Sequence, residues 1–131
     1  MEPTYQYPQA EIIRERFKFL EMYGFSISKE EDLPYGSYIE YIGRGLKIYL
    51  GFEYKEYWFD CDFYKGENTS YSDGAYGIDI ISLCDLAKKH DHNFDCNYLQ
   101  SNFSNGYEEV LHRNTMILKK YIDKLLTGEW Y

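Results

Sequence analysis

The stretch from Tyr35 to Lys65 reads YGSYIEYIGRGLKIYLGFEYKEYWFDCDFYK. Apolar and polar residues alternate through it, with two short breaks at Arg44-Gly45 and at Lys55-Glu56. Alternation with a period of two is typical of strands that bury one face. The stretch therefore predicts three antiparallel strands joined by two-residue hairpin turns.

The pairing of these strands follows from counting outward from the two turns. The predicted partners are Tyr41 with Ile48, Ile39 with Leu50, Phe52 with Phe59, Leu50 with Cys61, and Ile48 with Phe63. All of these residues fall on one face, so this register buries a single apolar surface.

The opposite face of the same strands is both acidic and aromatic. Interfaces combine aromatic anchors with charges that steer the partner. We therefore predict that this face binds a partner protein, with three rings as anchors (Tyr49, Trp58 and Tyr64). The predicted site consists of Glu40, Tyr49, Glu53, Trp58, Asp60, Asp62 and Tyr64. The alternative is that the face is simply exposed, or is covered by a loop over 66–77 or by the segment 90–105.

The residues before this stretch predict a helix, a short strand and a turn. Ile13, Phe17 and Leu20 recur at helical spacing and predict a helix over 9–23 that ends at Gly24. Alternation over 25–28 predicts a short strand. The charged run 29–32 predicts a turn.

The residues after it predict a further short element and two helices. Residues 78–81 form a short strand or lead into a helix, and Ser82 with Asp85 matches the capping box of a helix that ends near residue 89. Apolar residues at spacings of three and four predict a long closing helix. It starts at a second capping box, Asn105 with Glu108, and stops at Gly128.

Together these elements predict one α+β domain over residues 1–131. Its centre is an antiparallel β-meander of four to five strands, and the N- and C-terminal amphipathic helices pack on one face of the sheet. The acidic and aromatic face is left to solvent or to a partner. A free edge strand is compatible with a monomer or a weak homodimer.

Composition indicates the kind of partner. The net charge is −8, and the window 53–95 holds ten acidic residues against four lysines, a net of −6. Such a field repels nucleic acid and anionic membranes and attracts basic proteins. We therefore expect a basic protein partner, no direct contact with nucleic acid and no membrane association.

The three cysteines, Cys61, Cys84 and Cys96, include no closely spaced pair. The first residues do not resemble a secretory leader, and no apolar run is long enough to cross a membrane. These features predict a cytoplasmic protein in a reducing environment.

Three kinds of chemistry are weaker alternatives. The cluster 90–96 holds two His, two Asp and a Cys, which are residue types that bind zinc, but no partner motif lies elsewhere. Asp60 and Asp62 share one strand face about 7 Å apart, a separation that suits two-carboxylate hydrolysis. No cysteine has a local activating base, and no phosphate-binding or dinucleotide-binding motif is present. We predict no cofactor, no metal and no enzymatic activity.

The layout resembles that of the immunity proteins of bacterial polymorphic and contact-dependent toxin systems. Three segments carry the resemblance: Phe17–Phe25, where a helix turns into a strand; the meander from Tyr38 to Asp62; and the closing helix Ile117–Trp130. The resemblance implies tight binding to one cognate toxin, often a nuclease, with an acidic surface that blocks a basic active site. The alternative is a scaffold or regulatory module with a different protein partner.

Overall fold

The computed structural model describes residues 7–67, 79–100 and 106–129. Five strands lie between helices: α1 (Ala10–Arg16), β1 (Ser26–Leu33), β2 (Gly36–Gly43), β3 (Leu46–Glu53), β4 (Trp58–Lys65), β5 (Ile80–Ser82), α2 (Leu83–His90) and α3 (Gly106–Leu126). Two short 3₁₀ helices, Lys18–Tyr23 and Cys96–Leu99, complete the described elements.

The strands form one antiparallel sheet in the order β1-β2-β3-β4-β5. Each strand therefore pairs with the next one along the chain, which is a meander. The short helix α1 and the long helix α3 pack on the apolar face of this sheet. The predicted α+β fold is confirmed.

The predicted register is also confirmed. Tyr41 pairs with Ile48, Leu50 with Cys61, and Phe52 with Phe59, and these side chains are buried. The turn at Arg44-Gly45 has two residues, both with positive φ, as a right-twisted hairpin requires. The next turn keeps the predicted register but spans four residues, Tyr54–Tyr57, because the strand pairing ends at Glu53 and Trp58.

The first strand differs from the prediction. The run 29–32 is not a turn but part of β1, which pairs with β2 along Ser26–Leu33 and has a bulge beside Ser28. The actual turn is Pro34-Tyr35. The alternation over 25–28 correctly predicted the start of β1, but the rest of this edge strand is exposed or only partly buried and shows no apolar alternation. Charged residues on such a strand discourage pairing with other chains.

The predicted helix over 9–23 is divided. It is α-helical only to Arg16 and continues after Phe17 as the 3₁₀ helix Lys18–Tyr23. In a 3₁₀ helix, residues three apart lie in line, so Phe17 and Leu20 both point into the core, and both are fully buried. Gly24 ends the segment with a φ of 93°, as predicted.

The later helices agree with their sequence signals within the described residues. Ser82 and Asp85 form the predicted capping box at the start of α2. α3 buries one stripe of side chains from Tyr107 to Leu125 and is followed by Gly128 with a φ of 80°. The loop over 66–77 and the capping box at Asn105 fall mostly outside the described residues.

Candidate partner-binding surface

The face of the sheet opposite the helices carries all seven residues of the predicted site. Cross-strand pairing arranges them in rows: Glu40, Tyr49 and Asp62 in one, Gly51 and Asp60 in the next, Glu53 and Trp58 in the third. Tyr64 follows Asp62 by two residues and lies opposite Lys47. We call this surface the outer face. It brings the predicted residues together because strand alternation and register place them there.

The rings on the outer face are not equally available to a partner. Trp58 is 47% exposed and is the most accessible of the predicted anchors. Tyr64 is only 7% exposed, and the ammonium of Lys47 lies 4.5 Å from its ring centroid. Tyr49 is partly buried and stacks on Tyr38 with ring centroids 5.6 Å apart. Trp58 is therefore the ring that a partner reaches first, and Tyr38 with Tyr49 forms a flat aromatic surface beside it.

The two aspartates of β4 lie in unfavourable surroundings for their charge. Burial raises the pKa of Asp62 to about 7, and the neighbouring carboxylates of Asp60 and Asp85 add to the effect. Burial also raises the pKa of Asp60, although the Trp58 indole N–H donates a 3.1 Å hydrogen bond to this carboxylate. Partly buried carboxylates without a cation cost stability. Perturbed groups of this kind are concentrated at functional sites.

The ion pairs among the described residues leave out the acidic residues of the predicted site, although Lys29 and Glu31 pair on β1 beside Glu40 and Tyr38. They join Arg14 to Glu30, Arg16 to Glu108, Lys29 to Glu31, Arg113 to Glu109, and Lys124 to Glu129. None involves an acidic residue of the predicted site. Within the part of the chain that the structure describes, the four carboxylates of the predicted site therefore form no salt bridge.

A cleft of about 410 Å³ opens at the edge of the outer face, and sequence reasoning missed it. Within the described residues, β5 pairs with Asp62–Tyr64 alone, and the first half of β4 has no strand partner beyond it. There the side chain of Gln100 accepts a 3.0 Å hydrogen bond from the N–H of Phe59 and donates a 2.7 Å bond to its carbonyl oxygen. The cleft lies between β4, the start of α2 and the 3₁₀ helix Cys96–Leu99. We call it the β4–α2 cleft.

Three residues of the cluster over 90–96 make contacts within the protein. His90 stacks on Tyr121 and lies 3.1 Å from the carbonyl oxygen of Glu129. Asp91 and Asp95 accept hydrogen bonds from backbone N–H groups two residues on. In the described ranges, no group of three His, Cys, Asp or Glu side chains is arranged to hold a metal ion.

Two of the three cysteines form a disulfide bond. Cys84 on α2 is joined to Cys96, with Cα atoms 5.4 Å apart, and both residues line the β4–α2 cleft. Disulfides are rare in reducing compartments, so this bond opposes the predicted reduced state of Cys84 and Cys96. The pairing could not be predicted from spacing, because the two residues are 12 positions apart. Cys61 is free and buried in the core, as predicted, and burial raises the pKa of its thiol.

Comparisons with known proteins identify no relative: no family model, no curated protein and no solved structure matches this chain. Among the described residues, no helix is long and apolar enough to cross a membrane.

Proposed function

We propose that the protein is an immunity protein that binds one basic toxin, such as a nuclease, and blocks its active site with the outer face. The observation that carries the proposal is the uncompensated acidity of β4. Asp60 and Asp62 are partly buried beside an exposed Trp58 and form no ion pair with the described residues. A lysine or arginine of a partner would supply the missing charge.

Two features favour binding over covalent chemistry. Cys61 is a poor nucleophile because its thiol is buried and its pKa is raised. The exposed indole and the surrounding carboxylates instead match the anchors and steering charges of a protein interface.

The proposal includes a cytoplasmic location, which requires Cys84 and Cys96 to be reduced in the cell. Thiol trapping in intact cells, followed by mass spectrometry of the protein, would measure the state of Cys84 and Cys96. We expect both thiols to be trapped in a cytoplasmic protein, because glutathione and thioredoxin keep thiols reduced there. An intact disulfide in the cell would contradict this location and leave the binding proposal in place.

Affinity capture from the native host, with elution by a salt gradient, tests the binding proposal. We expect a basic protein whose binding weakens as salt rises. The double variant Asp60→Lys with Asp62→Lys should fold and bind this partner at least about a hundredfold more weakly, because it replaces two attractive charges with two repulsive ones.

The matched control for that variant is Glu15→Lys with Glu21→Lys. Both glutamates are exposed on the helical side, and this variant changes the net charge of the chain by the same amount. Equal loss of binding in both variants would show attraction to the total charge and would refute the outer face as the site. Capture of a neutral protein would favour a scaffold or regulatory module instead.

A small hydrolase is the second candidate, and one observation favours it. Asp60 and Asp62 line the same cleft, and the pKa of Asp62 is raised to about 7, as expected for a general acid at neutral pH. A panel of chromogenic glycosides and phosphate esters tests this candidate. Turnover that disappears in Asp62→Asn would support it, and the absence of turnover would leave binding as the role of the two carboxylates.

A further inference from the structure

The β4–α2 cleft has a lining suited to a cationic group. Three carboxylates line it, from Asp60 and Asp62 on β4 and from Asp85 on α2, and the indole of Trp58 borders it. No Lys, Arg or His from the described residues lines the cleft. Its volume of about 410 Å³ lies within the range of roughly 300–1,000 Å³ that is usual for sites that enclose small groups.

A second observation points to a hydrogen-bond donor in this cleft. Asn114 on α3 lines it and is 1% exposed. Its Nδ2 donates 2.8 Å hydrogen bonds to the carbonyl oxygens of Leu99 and Val110, which uses both amide hydrogens. Its Oδ1 accepts no hydrogen bond from the described residues. A buried amide with an unused acceptor therefore lies in the wall of a cleft that three carboxylates also line.

The required ligand is therefore a cation that carries several N–H donors. A metal ion does not meet this requirement, because the described residues offer no group of three ligands close enough to hold one. A guanidinium group does, since it is planar, always charged and has five N–H donors in a fixed fork. It also stacks favourably on an indole ring such as that of Trp58 at the border.

We propose that the β4–α2 cleft receives an arginine side chain of the partner protein, whose guanidinium group bonds to Asp60, Asp62 and Asn114 and packs against Trp58. This inference rests on the proposed function and names the group that the outer face recognises. The arginine enters where β5 ends, and the disulfide between Cys84 and Cys96 forms part of the opposite wall of its site.

Titration with N-acetyl-arginine methylamide, followed by the indole ¹⁵N–¹H signal of Trp58, tests the cleft without the partner. The signal is assigned with the variant Trp58→Phe. We expect saturable shifts with a dissociation constant of about 1–10 mM, as a few charge-assisted hydrogen bonds provide. The matching citrulline compound has the same shape without the charge, and we expect no binding from it.

Two single variants locate the binding within the outer face. Asp62→Asn removes one charge inside the cleft, and Glu56→Gln removes one exposed charge from the turn before β4, outside the cleft and outside the predicted site. We expect Asp62→Asn to weaken arginine binding at least about tenfold and Glu56→Gln to leave it nearly unchanged. Equal effects of the two variants, equal shifts with citrulline, or no saturable shift would overturn the cleft as an arginine site.

Together with the affinity capture, this titration tests the arginine site independently of the proposed immunity function. Arginine binding without capture of any basic protein would retain the cleft and refute the immunity function. Capture of a basic protein that is sensitive to the double Asp→Lys variant, without arginine binding, would retain the outer face and refute the cleft.

Discussion

The ring of Tyr49 lies across Gly51, two residues further along β3. A Cβ atom on Gly51 would be 2.5 Å from the Tyr49 hydroxyl oxygen and 2.7 Å from two ring carbons. No side chain other than hydrogen leaves room for the ring in this position. The glycine therefore holds Tyr49 flat on the outer face, where it stacks on Tyr38.

Gly51→Ala should displace the Tyr49 ring and retain the fold, because the clash is with the far end of a side chain that can rotate. In the native protein, burial raises the pKa of Tyr49 well above its ordinary value, and Asp60 and Asp62 raise it further. Release of the ring into solvent should lower this pKa toward 10. Titration of the ¹³Cζ signal of Tyr49 measures the change.

The matched control for Gly51→Ala is Gly45→Ala in the first hairpin turn. A Cβ atom on Gly45 meets no atom within 4 Å, although the φ of 75° makes the substitution strained. Gly45→Ala should therefore cost stability and leave the Tyr49 titration unchanged. Identical Tyr49 titration curves in native protein and Gly51→Ala would contradict the proposed contact.

Asp62→Asn should stabilise the protein at high pH and have no effect at low pH. The folded-state pKa of Asp62, about 7, is above the unfolded value near 4, so the native state binds more protons between these values. The stabilisation from this proton is complete below about pH 4 and is lost as the pH rises through about 7. At pH 8 the variant should gain about 1–2 kcal/mol, a figure reduced for partial solvent exposure.

Urea denaturation of both proteins at pH 4 and pH 8 measures this difference. Glu53→Gln is the matched control, because it removes an exposed carboxylate from the same face. Its free energy of unfolding should stay within about 0.5 kcal/mol of the native value at either pH. An Asp62→Asn variant that is no more stable than native protein at pH 8 would show that the carboxylate is adequately solvated.

The sheet could be predicted from sequence because the signals that define it, alternation and a short turn, involve residues close together in the chain. Alternation fixed which residues of β2 to β4 face the core, and the turn at Arg44-Gly45 fixed the register. β1 showed this signal only over 25–28, because the charged and solvent-exposed residues that follow on this edge strand do not alternate with apolar ones. Gly51 could have indicated that another group packs closely against the outer face, because a glycine inside a strand often lies where a side chain or backbone approaches closely.

The β4–α2 cleft could not be predicted because it depends on contacts distant in sequence. It exists because β5 has three residues and because Gln100 bonds to Phe59, 41 positions away. The closing disulfide also joins separate elements. Alternation assigns a residue to a face but does not determine how deeply it is buried, so Tyr64 was predicted as an anchor although it is only 7% exposed.

Removal of the disulfide should lower stability without abolishing the fold. A bond that closes a loop across 12 positions restricts the unfolded chain by about 3 kcal/mol in the chain-entropy description. We therefore expect Cys84→Ser with Cys96→Ser to lower the free energy of unfolding by about 2–3 kcal/mol. Dithiothreitol should destabilise native protein by a similar amount and leave the double variant unchanged. A native protein whose urea transition is insensitive to dithiothreitol would contradict a stabilising disulfide.

Asp32→Ala should destabilise the attachment of α1 to the sheet. Asp32 on β1 accepts a 2.7 Å hydrogen bond from the N–H of Ala10 and a 2.6 Å bond from the hydroxyl of Ser37. It thereby acts as the cap of α1, because Gln9 at the N-cap position provides no side-chain bond. By analogy with N-cap substitutions, the loss should cost about 1 kcal/mol at pH 7.

The pH dependence of this cost identifies its cause. Hydrogen bonds, first from Ser37 and then from Ala10, lower the pKa of Asp32 in the folded protein. The stability that the charged carboxylate contributes to the fold is therefore present above about pH 4 and is lost as the pH falls through this lowered pKa. Urea denaturation should therefore show a smaller difference between native protein and Asp32→Ala at pH 2 than at pH 7. Glu31→Ala, which removes an exposed 3.7 Å ion pair with Lys29, should change stability by less than about 0.5 kcal/mol at pH 7. An Asp32→Ala cost that does not change between pH 2 and pH 7 would show that packing, rather than the charged cap, accounts for it.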